Sequence, residues 1–170
     1  MIFLGLGSNL PSKYGDRFTN INLAISSLEG YGIKVIKKSS FYETPSYPNK
    51  ENPKFINAVI LVETILPPVD LMSVLIFIEE KLERKRGKKN DPRTCDIDII
   101  DYNSQILNLR YNNLDLTVPH KELTLRNFIL FPLQEISPTW KHPKTKEIIS
   151  VLLQKLNDED KNSILKIVKN

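Results

Sequence analysis

An α+β sandwich is the fold this chain predicts. Four short β-type stretches and two stretches with apolar residues at helical spacing carry that reading. They follow one another as strand, helix, strand, strand, helix, strand, which is the split βαβ, or ferredoxin-like, pattern. Residues 103–170 then elaborate the C-terminal half. With 170 residues, 41% hydrophobic and 26% charged, the chain is expected to form one domain spanning 1–170 with a core of its own.

Residues 2–6 read as a short buried strand. Phe18, Ile21, Ala24, Ile25 and Leu28 recur at helical spacing, and Gly30 and Gly32 close that helix. Ile33, Val35, Lys37, Ser39 and Phe41 suggest a second strand running to about Tyr42. Residues 44–53 read as a loop, because Pro45, Pro48 and Pro53 do not fit a central strand. Residues 55–64 are the clearest strand, with Ile56, Ala58, Ile60 and Val62 on one face. Pro67-Pro68 opens a second helix, where proline is tolerated in the first turn, and Leu71, Val74, Leu75, Ile78 and Leu82 form its apolar stripe. Residues 95–102 are the fourth strand. A hairpin near Asn103-Ser104, a short strand at 116–118 and helices over 127–136 and 148–156 follow. Residues 164–168 suit a strand or a helix equally.

Charge narrows the chemistry. Lys81, Arg84, Lys85, Arg86, Lys88, Lys89 and Arg93 face only Glu83 and Asp91 within one segment, so the net charge of +4 is a local patch. A surface for long nucleic acid spreads its charge more widely, whereas a small polyanion needs only a pocket. The lone Cys95 forms no internal disulfide, which fits a reducing compartment. The first residues lack a charged leader segment, and no apolar run reaches membrane-spanning length, so a cytoplasmic protein is expected.

Asp96 and Asp98 follow that patch in an Ile-rich strand, where residues two apart share a face. Aspartate is disfavoured in strands, and two carboxylates together call for a cation. Magnesium is held by one or two carboxylates plus substrate phosphates, and two such ions can clamp a phosphoryl group. Arg84, Arg86 and Arg93 would neutralise the phosphate oxygens. Taken alone, the aspartates also suit a solvated strand end, and the basic run a solvated helix end. Gly5-Leu6-Gly7-Ser8 lacks the third glycine of a dinucleotide loop and the ending of a P-loop, and its glycines are read as permitting a tight turn. His120 and His142 have no zinc spacing and no nucleophile partner. Asn57, in an apolar strand, needs hydrogen-bond partners, which a planar heterocycle would supply. Cys95 is read as core.

Several segments together are similar to one family. They are Gly7-Ser8-Asn9-Leu10, Ser40-Phe41-Tyr42-Glu43-Thr44-Pro45, Phe55-Ile56-Asn57-Ala58 and Ile78-Glu79 with Arg84 and Arg86. Pro92-Arg93-Thr94 with Asp96 and Asp98, Val118-Pro119-His120, Arg126-Asn127-Phe128 and Pro132-Leu133 complete the set. In this order they resemble the 6-hydroxymethyl-7,8-dihydropterin pyrophosphokinases of folate biosynthesis. The resemblance implies transfer of diphosphate from ATP to the pterin hydroxymethyl group, releasing AMP. It implies two Mg2+ ions on Asp96 and Asp98, with Arg84, Arg93, Asp96 and Asp98 as the catalytic group. Glu79, Arg84, Arg86, Arg93, Ile99, Thr117, His120 and Arg126 would bind ATP. Thr44, Pro45, Tyr47, Phe55, Asn57 and Phe128 would bind the pterin, the two phenylalanines as plates about its ring. The fold implied is again the ferredoxin-like one.

This chain departs from the family at Glu83, where glycine is frequent, and at Asn90-Asp91, where Trp-Gly is frequent, in a loop about one residue shorter. Loss of that tryptophan should weaken packing over the site by about 1–3 kcal/mol. The expected partners are small molecules, with no nucleic acid or membrane, and the expected state is a monomer. Two other readings stay open: a ferredoxin-like RNA-binding module using the 81–93 patch, and an inactive pterin-binding paralogue. The first lacks the expected Lys/Arg-Gly-Phe signature. The second should have lost an aspartate or Arg93.

Overall fold

The computed structural model describes residues 1–85, 87, 90–111 and 114–168. Arg86, Lys88 and Lys89, members of the basic patch, lie outside them. The chain runs through β1 (Ile2–Ser8), α1 (Arg17–Leu28), β2 (Lys34–Lys38), β3 (Phe41–Thr44), β4 (Phe55–Glu63), α2 (Pro68–Lys81) and β5 (Asp96–Tyr102). It continues through β6 (Leu107–Tyr111), β7 (Leu114–Val118), α3 (Asn127–Ile136), α4 (Ile149–Lys155), α5 (Asp158–Asn162) and β8 (Leu165–Ile167). The main sheet is antiparallel in the order β5-β1-β4-β3-β8, with β2 also pairing β4.

Local chemistry explains the ends of the first two helices. The Asp16 carboxylate accepts from the Thr19 N–H (2.8 Å) and caps α1. Gly32 ends the turn that follows it, at φ 71°, where a side chain would be strained. α2 starts on Pro67-Pro68 as expected.

Strand alternation divides the sheet between two cores. Ile2, Leu4 and Leu6 of β1, Ile56, Ala58, Ile60 and Val62 of β4, and Ile97 and Ile99 of β5 pack against α1 and α2. Phe3, Val59 and Ile100 point the other way, against α3 and α4. A one-residue bulge in β5 makes this possible. Phe3 pairs with Asp101 but Leu4 with Ile99, so Ile100 is extra, and Tyr102 returns to the first core. Cys95 is buried, as expected.

Three expectations change, and one left open is decided. The second strand is two, β2 and β3, because Ser39 breaks the run: its N–H and hydroxyl bond the Val59 C=O and N–H (2.9 and 3.0 Å). The turn at Asn103-Ser104 exists, with φ of 53° and 57°, but it does not make a hairpin with β5. β6 pairs with β7 in a separate two-stranded sheet. Residues 165–167 are a strand, the edge partner of β3. Gly5 and Gly7 are not in a turn; both lie inside β1. Among the described residues no helix is long and apolar enough to cross a membrane.

Candidate active site

Gly5 and Gly7 sit on the face of β1 opposite the α1/α2 core. Gly7 pairs with Asn57 of β4 and Asp96 of β5, and Gly5 pairs with Val59 and Asp98. Paired residues on neighbouring strands share a face, so Asn57, Gly7 and Asp96 form one row and Asp98 the end of the next. A Cβ at Gly7 would lie 3.3 Å from Asn57 Oδ1 and 3.5 Å from the Phe55 ring. Glycine inside a strand here keeps the floor between Phe55, Asn57 and Asp96 open for close approach. One at Gly5 would meet Ile129 and Ile100 at 2.7 and 2.8 Å, so that glycine makes room for α3.

The carboxylates sit in a guanidinium cluster. Asp96 accepts from Arg84 (2.5 Å) and from Arg93 (2.8 Å), and Arg84 also pairs with Glu79. Glu79 is 3% exposed and accepts from the Ile97 N–H (2.7 Å), which ties α2 to β5 between the two aspartates. Asp98 lies 3.5 Å from Arg126, with its side chain 46% exposed. Partial burial of the Asp98 carboxyl, together with the like charge of Asp96, pushes it up to about 6 against the pull of Arg126, Arg84 and Arg93. A divalent cation fits this donor set, since two carboxylates on one face need a positive charge between them. Among the described residues no third His, Cys, Asp or Glu completes a cluster, so phosphate oxygens and water would supply the other ligands, the usual habit of magnesium. The Thr94 hydroxyl, between Arg93 and Asp96 in sequence, is buried with no hydrogen-bond partner among the described residues.

Beside Asp98 a cavity of about 300 Å³ opens between β5, β7 and the start of α3. Of the residues expected at ATP, it brings together Ile99, Thr117, His120 and Arg126. His120 Nε2 is 3.1 Å from Arg126 Nη2, and its Nδ1 accepts from the Glu122 N–H (3.0 Å). Glu79 does not line this cavity, and Arg86 lies outside the described residues. Asp115, Lys121 and Ile100 also line it. Asp115 and Lys121 carry no local signal, whereas Ile100 follows from continuing the Asp96–Asp98 alternation.

Of the residues expected at the pterin, Thr44, Phe55 and Asn57 lie together at the β4 end of the row. Asn57 Nδ2 donates to Thr44 Oγ1 (3.0 Å) and to the Tyr42 carbonyl (3.3 Å). Its donor group thus has partners on β3, while Oδ1 lies on the Gly7 side. Phe55 and Phe128 each carry a guanidinium over the ring: Arg93 at 5.5 Å and Arg126 at 5.6 Å. Pro45 is half-buried in the 44–54 loop, and Tyr47 is 84% exposed at its tip.

Residues 3–138 match the model of the 7,8-dihydro-6-hydroxymethylpterin-pyrophosphokinase (HPPK) family. The chain is 37% identical over 164 residues to the "Folic acid synthesis protein fol1" of Pneumocystis carinii, covering 96% of this chain and 21% of that protein. It is therefore about a fifth of that relative's length. It is 34% identical over 155 residues to the 2-amino-4-hydroxy-6-hydroxymethyldihydropteridine pyrophosphokinase of Synechocystis sp., covering 91% of this chain and 75% of that protein. A solved structure of wild-type Plasmodium falciparum HPPK-DHPS has the same fold, with a TM-score of 0.75 at 18% identity, over 99% of this chain and 44% of that one. The segments around the carboxylate row lie within the matched span, and on these grounds the chain belongs to the HPPK family.

Proposed function

We propose that this chain, as one domain over 1–170 with a ferredoxin-like (split βαβ) core, transfers diphosphate from Mg-ATP to the hydroxymethyl oxygen of 6-hydroxymethyl-7,8-dihydropterin. The observation that carries the reading is the Asn57–Gly7–Asp96 row, with Asp98 beside it, set between the Phe55 ring and a cavity whose lining includes Lys121 and Arg126. In the reaction the pterin oxygen bonds to the β-phosphorus. The bond from that phosphorus to the oxygen it shares with the α-phosphorus breaks, AMP leaves, and the hydroxyl proton is released.

The chain supplies positioning and charge, with no protein nucleophile. Asp96 and Asp98 would hold two magnesium ions, which when bound neutralise the phosphates. Arg84 and Arg93 would exchange Asp96 for phosphate oxygens, and Arg86 remains an expected ATP-binding residue. Ile99, Thr117, His120 and Arg126 would receive the nucleoside part. Phe55 and Phe128 would give up their guanidinium partners to flank the pterin, and Thr44, Pro45, Tyr47 and Asn57 would border it. Glu79 would act on ATP through Arg84. The protein would work as a cytoplasmic monomer on small molecules alone. Incubation with Mg-ATP and the pterin, with the nucleotide product identified by chromatography, tests this: AMP is expected, and ADP or no turnover would refute it.

A further inference from the structure

The first turn of α3 is held by a segment distant in sequence. Asn127 stands between Arg126 and Phe128, is 7% exposed, and uses both ends of its amide. Its Oδ1 accepts from the Phe128 N–H (2.6 Å), in a turn where the Arg126 side chain makes no capping bond. Its Nδ2 donates to the Asp160 carbonyl (2.6 Å) and to Ser163 Oγ (3.1 Å). The Ser163 hydroxyl in turn donates to the same carbonyl (3.1 Å). A backbone N–H only donates and a carbonyl only accepts, so these partners fix the amide orientation.

The other side of the contact has its own reason to form. α5 spans only Asp158–Asn162, so its last carbonyls lack partners within the helix and need them elsewhere. Asn127 supplies one. Asn157 fixes the opposite end of the same peptide run, its side chain accepting from the Asp160 N–H (2.7 Å). Beyond α5, β8 pairs with β3, and Lys166 lies 3.5 Å from Glu135 of α3. Residues 157–167 thus form a strap fastened to α3 near both of that helix's ends. The match to the family model ends at residue 138, so the strap lies wholly beyond it.

We infer that Asn127 is a positioning residue through which this strap sets where Phe128 stands, and with it the affinity for the pterin. The inference rests on the reading above, in which Phe128 flanks the pterin ring. Arg126, on the other side of Asn127, has holds of its own: Asp98 and Glu122, each at 3.5 Å, and His120 at 3.1 Å. Phe128 is only partly packed against the second core. Loosening the strap should therefore reach the pterin more than the nucleotide.

Steady-state kinetics of the full chain test this. Asn127→Ser keeps an oxygen for the Phe128 N–H and is too short to reach α5. Its pterin KM should rise about tenfold, with kcat and the binding of a non-hydrolysable Mg-ATP analogue within about twofold of wild type. Asn127→Ala should do the same. A wild-type pterin KM in Asn127→Ser would mean that the bond to Phe128 suffices. Equal losses in kcat, pterin KM and analogue binding would mean a general loosening of the fold. Either result overturns the inference. If neither variant folds, Ser163→Ala leaves α3 untouched and should still raise the pterin KM about threefold; an unchanged value overturns it as well. Absence of turnover in the wild type would refute the pterin reading itself, and the positioning role with it.

Discussion

The two faces of the central sheet are built from the same three strands and have opposite fates. On the face toward α1 and α2, Ile2, Leu4 and Leu6 of β1, Ile56, Ala58, Ile60 and Val62 of β4, and Ile97 and Ile99 of β5 are buried aliphatics. On the other face, the half under α3 and α4 is equally dry, but the remaining half carries Gly7, Asn57, Asp96 and Asp98. Neighbours one residue apart, such as Ile97 and Asp98, thus belong to a core and to a site. The rigid, apolar face is what permits the strained one. Like charges held on a strand cost stability, and a well-packed opposite face holds them in place regardless.

Substitutions on either side of one peptide bond should separate these roles. Asp98→Ala removes a carboxylate that nothing nearby replaces, so turnover should fall by about a thousandfold or more, with urea unfolding hardly changed. Asp96→Ala should behave alike in turnover. Ile97→Ala should do the reverse, losing about 2–5 kcal/mol of stability while the folded fraction keeps its kcat. If Ile97→Ala abolished activity in fully folded protein, the division between faces would be wrong.

A smaller effect is expected where the site face was kept clear. Gly7→Ala places a methyl against Asn57 Oδ1 and the Phe55 ring. Steady-state kinetics should show the pterin KM raised by about tenfold, with the ATP analogue bound as before. An unchanged pterin KM would remove Gly7 from the pterin floor.

The smallest effect concerns pH. Asp98 is pushed up to about 6 in the fold, from an ordinary carboxylate value in the unfolded chain. Between those values the folded state binds more protons, so this residue's contribution to stability falls as pH rises through that window. Asp98→Asn should therefore raise the melting temperature slightly at pH 7.5 and not at pH 3.5. Activity has the opposite dependence, because the ionised form is the one that holds a cation, so kcat/KM should fall below pH 6. A melting temperature lowered at pH 7.5 by Asp98→Asn would mean that its pairing with Arg126 outweighs the repulsion.

The site face was partly legible beforehand. Period-two alternation put Asp96 and Asp98 together and Ile97 and Ile99 behind them, because side-chain direction in a strand is local. The strand content of residues 55–64 was legible for the same reason. What escaped was set by partners distant in sequence. Gly5 and Gly7 look like turn residues until β4 and β5 are laid on either side of them. Ser39 looks like one step of an alternation until its hydrogen bonds to Val59 break the strand. Asn103-Ser104 reads as a hairpin because those residues do form a turn, but β6 pairs with β7. The bonds from the buried Glu79 to the Ile97 N–H and to Arg84 join α2 to β5 and leave no local pattern either. The pairing of Asn9 with residues 46, 53 and 93 leaves no periodic trace at all.

The most direct test of the central claim, that the β5 carboxylate pair builds a cation-dependent ATP site on one face of the sheet, is calorimetric binding of a non-hydrolysable ATP analogue with and without magnesium. The wild type should bind it more tightly with magnesium, and Asp98→Ala should lose that dependence while remaining folded. Equal magnesium dependence in the two proteins would contradict the account.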